Sequence, residues 1–160
     1  MSAGATLISA SVRLALLCYA TTVAGQLLGF HGKWLRFLWT AGCTLFLVHV
    51  AAAFHYVHNW SHRAAVQTTA TETQQLLGIA FGEGLWFSYA FVLLWLLDTL
   101  WWWISDTTWQ RRPRALHFAL HGYLLFIAFN GAVVFEAGPT RLVGLLVTPL
   151  LLFLMFRRLR

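Results

Sequence analysis

The chain has 160 residues, 59% of them hydrophobic and 10% charged, with a formal net charge of +6 and a mean hydropathy of +0.68. That balance excludes an ordinary water-soluble domain and a disordered tail, since neither carries so much apolar surface with so few charges. Mostly apolar runs of about 18 residues or more recur, long enough to cross a bilayer as helix and too continuous for barrel strands.

The expected fold is an all-α integral membrane protein, a five-transmembrane-helix bundle forming one domain over 1–160. The spans are read at residues 5–29, 34–62, 78–104, 114–136 and 140–157. Arg13 lies inside the first apolar stretch and no basic leader precedes it, so this segment reads as a retained helix rather than a signal peptide. The second span leaves the lipid near Val57 and projects about one more turn, to His62. Residues 63–77 form the long connection. There Thr69 and Glu72 have capping-box spacing, so a short helix is expected to lead into the third span over the mouth of the bundle. Gly25 with Gly29, and Gly78 with Gly82, have the four-residue spacing that lets helices approach closely. Pro113 suits the start of the fourth span, Pro139 a tight turn, and Pro149 a kink in the fifth. Cys18 and Cys43 form no paired motif and read as small packing residues.

Charge orients this bundle. With five spans, the 30–33 turn, the 105–113 loop and the C-terminus share one side, with Lys33, Arg36, Arg111, Arg112, Arg114, Arg157, Arg158 and Arg160; the other side has Arg63, Arg141 and Arg13. This positive-inside bias places the N-terminus outside and the C-terminus in the cytoplasm, with the bacterial inner membrane as the expected location. The excess of positive charge is then topological and suits anionic lipid headgroups, not nucleic acid. Trp34, Trp101, Trp102, Trp103 and Trp109 fall near the inner interface and Trp60 and Trp86 near the outer one, as an aromatic belt would; packing of the 101–103 run against a flat cofactor is the alternative.

Seven histidines stand out in so apolar a chain. At helical spacing, His55, His58 and His62 share one stripe at the outer end of the second span, within roughly 60° of one another. Imidazoles one turn apart chelate a transition metal, and Glu83 at the start of the third span adds a carboxylate, with Glu72 or Glu136 as alternates. A mixed nitrogen and oxygen shell of this kind suits iron or copper, and less well zinc. The competing readings are a hydrogen-bonded polar network without a cofactor and simple solvent exposure. His49 lies about 9 Å below His55 and faces another way, so it cannot share that site. An interhelical hydrogen bond to Asn130 would satisfy it; alternatively it pairs with His121 as axial ligands of a haem b.

A second constellation falls near the inner side, where His117 and His121 lie four residues apart on the fourth span, Asp98 approaches on the third and His31 occupies the first inner turn. A carboxylate in so apolar a segment demands a partner, and His121 is the one expected. Asp98 and His117 are thus either a structural polar lock or part of a second metal or proton site.

The segments H-N-W-S-H (58–62) and H-F-A-L-H (117–121) resemble the H-x3-H boxes of membrane desaturases and hydroxylases. That family's third box, with adjacent histidines, is absent and the two pairs lie at opposite sides of the bilayer, so the activity is not carried over. The leading functional expectation is a small membrane protein that binds a redox metal or haem for electron transfer or oxidation, with lipid and the other subunits of a membrane complex as its partners. The alternatives are a non-catalytic accessory or assembly subunit and a small proton or metal-ion transporter.

Overall fold

The computed structural model describes residues 3–135 and 138–159, with the backbone alone at Pro139 and Leu159. The described residues form helices joined by short turns and loops, with no strand among them, in the order α1 (Ala3–Leu27), α2 (Lys33–Tyr56), α3 (His62–Leu77), a 3-10 turn (Gly82–Gly84), α4 (Leu85–Ile104), α5 (Asp106–Gln110), α6 (Arg114–Phe129), a π turn (Asn130–Val134) and α7 (Pro139–Leu159). Five helical stretches are long and apolar enough to cross a membrane: Ala3–Leu27, Lys33–Tyr56, Gly82–Ile104, Arg114–Val134 and Thr140–Arg158.

Ring stacking in the core explains how these helices pack. Tyr19 of α1, Trp39 of α2, and Phe91 and Trp95 of α4 are all buried, with ring centroids 5.7 Å apart for Tyr19–Trp39, 5.1 Å for Trp39–Trp95 and 5.5 Å for Phe91–Trp95. Edge-on and tilted contacts at these separations match the attraction between ring edges and faces. Gly42 makes room for them: a Cβ there would stand 2.9 Å from Trp95 Cζ2 and 3.0 Å from Cys18 Cβ, so α1, α2 and α4 meet at a residue without a side chain. Both cysteines are free thiols, Cys43 buried and Cys18 partly so.

Several expectations change. The second span does not run to His62: α2 stops at Tyr56, and Asn59 (φ 49°) and Trp60 (φ 58°) take left-handed backbone that no helix continues through. Ser61 then opens α3 by accepting a hydrogen bond from the Ala64 amide at 3.2 Å, and Gly78 (φ 76°) closes it in the left-handed C-cap conformation. The helix expected in the 63–77 connection therefore exists but starts earlier than the Thr69–Glu72 pair, and Thr69 instead bonds back to the Ala65 carbonyl within it. Gly82 is a close-packing glycine, but against α3: a Cβ there would lie 2.7 Å from both Val66 Cγ1 and Val66 O. Likewise the fourth span leaves α-helical geometry at Asn130, where the π turn begins.

The ends of the bundle differ in chemistry. Arg36 donates to the Trp102 carbonyl (3.4 Å) and Arg158 to the Leu27 carbonyl (2.9 Å), so the C-terminal ends of α1, α4 and α7 meet the start of α2. This is called the basic end below. At the opposite end Phe54 of α2 packs on Tyr89 of α4.

Candidate functional site

The turn after α2 decides the fate of His55, His58 and His62. His55 stays on the last turn of α2, exposed, with its ring edge on Tyr56 at 4.6 Å; His58 sits in the turn against Phe54 at 5.6 Å, its Nδ1 buried and unpaired. His62 is the first residue of α3 and hydrogen-bonds through Nδ1 with the Tyr89 hydroxyl at 2.9 Å. Glu83 is exposed on the 3-10 turn, Glu72 is exposed on α3, and Glu136 lies outside the described residues. The one-stripe geometry is thereby corrected: the three rings belong to three successive elements and take separate aromatic partners. Among the described residues, no three His, Cys, Asp or Glu side chains group as a metal site would require.

His49 donates from Nδ1 to the Ile8 carbonyl of α1 at 2.9 Å, while the Asn130 amide donates to Phe126 O in its own helix, so the expected His49–Asn130 bond gives way to one with α1. Nor are His49 and His121 brought face to face. His121 packs on Trp39 (5.6 Å), Trp39 on Trp95 (5.1 Å), Trp95 on Phe46 (6.0 Å) and Phe46 on His49 (5.5 Å), which puts three rings between the two imidazoles.

Asp98, His117 and His121 do assemble, around a side chain that sequence reasoning placed elsewhere. Asp98 is buried on α4, and its partner is Arg112, not His121: Arg112 Nη1 donates to Asp98 Oδ1, and the two side chains are 3% and 2% exposed. Trp109 donates to the same oxygen from Nε1 at 3.0 Å. Arg112 Nη2 lies 2.7 Å from His117 Nδ1 and 3.2 Å from His121 Nε2. A guanidinium has only N–H donors, so both imidazoles accept there; each is neutral, with its proton on the other ring nitrogen. Hence Asp98 is linked to the histidine pair through Arg112, a bridge absent from the expected Asp98–His121 bond.

Local structure explains the bridge. After Ser105 interrupts α4, the single turn of α5 swings Trp109 under Trp102, with centroids 3.8 Å apart and planes 3° from parallel. The Arg112 guanidinium then lies 4.2 Å over the Trp109 ring before Pro113 starts α6. Trp102 and Trp109, read as belt residues, are therefore buried parts of the site, whereas Trp103 is exposed and carries the Arg36 guanidinium at 4.3 Å. Burial pulls the Arg112 pKa below the usual arginine value and the adjacent Asp98 pushes it back up. Arg112 counts by sequence as one charge of the basic side; the signal for its other role is Asp98's need of a counter-ion, with Arg112 fourteen residues further along the chain.

Beside this network lies a cavity of about 280 Å³, walled by Gln26, Leu27, His31, Trp109, Gln110, Arg112, Arg114, His117, Phe118 and Arg158. Its wall contains three arginines, two histidines and no carboxylate. Arg158 is braced on the end of α1 by donating to Leu27 O (2.9 Å) and Gln26 O (3.3 Å), and Gln26 Nε2 is buried without a hydrogen-bond partner. His117, having accepted from Arg112 through Nδ1, keeps Nε2–H as a donor. Arg114 and Arg158, which have no acidic partner among the described residues, together with the His117 Nε2–H are complementary to an anion carrying several acceptor oxygens. Compared with known proteins, the chain matches no family model, no curated protein and no solved structure.

Proposed function

We propose that this is a multi-pass membrane protein, oriented by its charge bias with the basic end in the cytoplasm of a bacterial cell, whose work is to bind a phosphate-type anion at that end. The observation that carries the reading is the 280 Å³ cavity with Arg112, Arg114, Arg158, His31 and His117 in its wall and no carboxylate lining it; Asp98 neutralises Arg112 from behind, which leaves Arg114 and Arg158 as the excess charge. The buried Asp98–Arg112 pair is the foundation of the site, because Asp98 and Trp109 fix the guanidinium that in turn orients His117. On this reading the protein belongs to the binding or accessory class. A redox metal or haem centre draws less support, since its donors are dispersed over several elements. A through-path for protons draws less as well, because Tyr19, Trp39, Phe91 and Trp95 fill the bundle above Asp98.

Calorimetric titration of the detergent-purified protein with inorganic phosphate tests this. Saturable binding is expected, weakened about tenfold in Arg114→Gln by the loss of one charge-assisted contact. Absence of saturable heat from the folded protein would overturn the reading.

A further inference from the structure

A second cavity, of about 270 Å³, opens between α1, α6 with its π turn, and α7, and it is apolar apart from Arg13 and two threonines. The same α1, α6 and α7 contribute to the wall of the cationic cavity, beside α5 and the turn carrying His31. Leu151 and Ala20 are the groove residues nearest the basic end on α7 and α1, and Leu125 on α6; the corresponding cavity residues are Arg158, Gln26 and Phe118. On each helix the step is six or seven residues, about 10 Å of helical rise. A polar, positively charged pocket thus stands about 10 Å from an apolar groove along one face, with the pocket at the end of the spans and the groove within them. One leaflet of hydrocarbon is about 15 Å deep, so that offset is the one between a lipid's phosphate and the middle of its acyl chain.

We infer that the anion of the basic-end cavity is the headgroup phosphate of an anionic phospholipid, whose acyl chain lies in the groove between α1, α6 and α7. This rests on the anion-binding reading above and adds the identity of the ligand. Charge selects the headgroup: Arg114 makes no hydrogen bond or ion pair among the described residues and is available to a phosphate, while Arg158 is held in place by the α1 carbonyls it caps. The groove selects the amphiphile, since a free phosphate makes no use of apolar walls lined by Leu17, Ala20 and Ala128.

The test is native mass spectrometry of the full chain released from neutral detergent containing equal amounts of phosphatidylglycerol and phosphatidylcholine, beside calorimetry with inorganic phosphate. Phosphatidylglycerol is expected to be retained at least fivefold over phosphatidylcholine. Filling the groove with Ala20→Leu, or with Leu17→Trp at an exposed wall position if the first variant unfolds, should lower retention about tenfold and leave inorganic phosphate binding unchanged. Arg114→Gln should lower both. Equal retention of the two lipids, or groove-filled variants that keep the lipid as wild type does, while inorganic phosphate binds, would show a free-anion site and overturn the lipid assignment alone. Failure of the folded protein to bind inorganic phosphate, whatever the lipid result, would overturn the anion reading beneath it.

Discussion

Removing one member of the Asp98–Arg112 pair should cost far more than surface ion pairs do. Both side chains are 3% exposed or less, so solvent does not screen the charge that remains, and Asp98 would keep only the Trp109 indole as donor to its Oδ1. A buried charge stripped of its counter-ion destabilises by about 3–5 kcal/mol, against about 0–1 kcal/mol for an exposed pair. Arg112→Met is thus expected to destabilise by about 3 kcal/mol or more, and Asp98→Asn by a similar amount because it leaves the guanidinium uncompensated. The double variant removes both charges and should cost less than the sum, with a coupling of about 2 kcal/mol. Reversible unfolding in mixed micelles, followed by tryptophan fluorescence, measures all four corners of this cycle. Single variants each costing under about 1 kcal/mol, with strictly additive effects, would show that the pair behaves as a solvated one and refute the reasoning.

Other perturbations probe the rest of the frame. Gly42→Ala forces a methyl to within 3.0 Å of Trp95 and Cys18 and should cost about 1–3 kcal/mol by the same unfolding assay. Trp109→Ala removes the stack on Trp102, the cation–π surface under Arg112 and a hydrogen bond to Asp98, so a loss of about 3–5 kcal/mol and weaker phosphate binding are expected together. The Gln110 amide, aided by the Trp102 indole, holds the Asp106 carboxyl below its ordinary value of 3.8. A depressed carboxyl stabilises the fold above its unfolded pKa and loses that stabilisation as pH falls through the lower folded value, so fluorescence from the α5 region should hold at pH 5 and change only below 3.8. Asp106→Asn should abolish that acid transition. His62→Ala, which loses one bond to Tyr89 at an exposed position, should shift stability by about 1 kcal/mol or less and leave phosphate binding intact.

Much of the architecture was legible from apolar run length, because a helix long and apolar enough to cross a bilayer must appear as an extended apolar run, and each of the five helical stretches falls where a span was read. The end of α2 was not. Helical spacing was extended through residues 57–61 past Asn59, a residue type that tolerates left-handed backbone, and Ser61, an N-cap type, and the turn they mark separates His55, His58 and His62. The inner cluster was partly legible. His117 and His121 share a helix face by spacing alone, and an acid at Asp98 must have a partner, yet the partner arrives through α5, an element of five residues too short to show periodicity. Arg112 looked like one more charge of the basic side because the same residue type serves topology and burial, and only the tertiary path tells the two apart.

Equilibrium dialysis with radiolabelled inorganic phosphate, run on the wild-type protein and on the Arg114→Gln/Arg158→Gln double variant, tests the central claim most directly. The account expects one phosphate held per wild-type chain and none retained by the folded double variant. Equal stoichiometry in the two proteins, or no phosphate held by either, would contradict it.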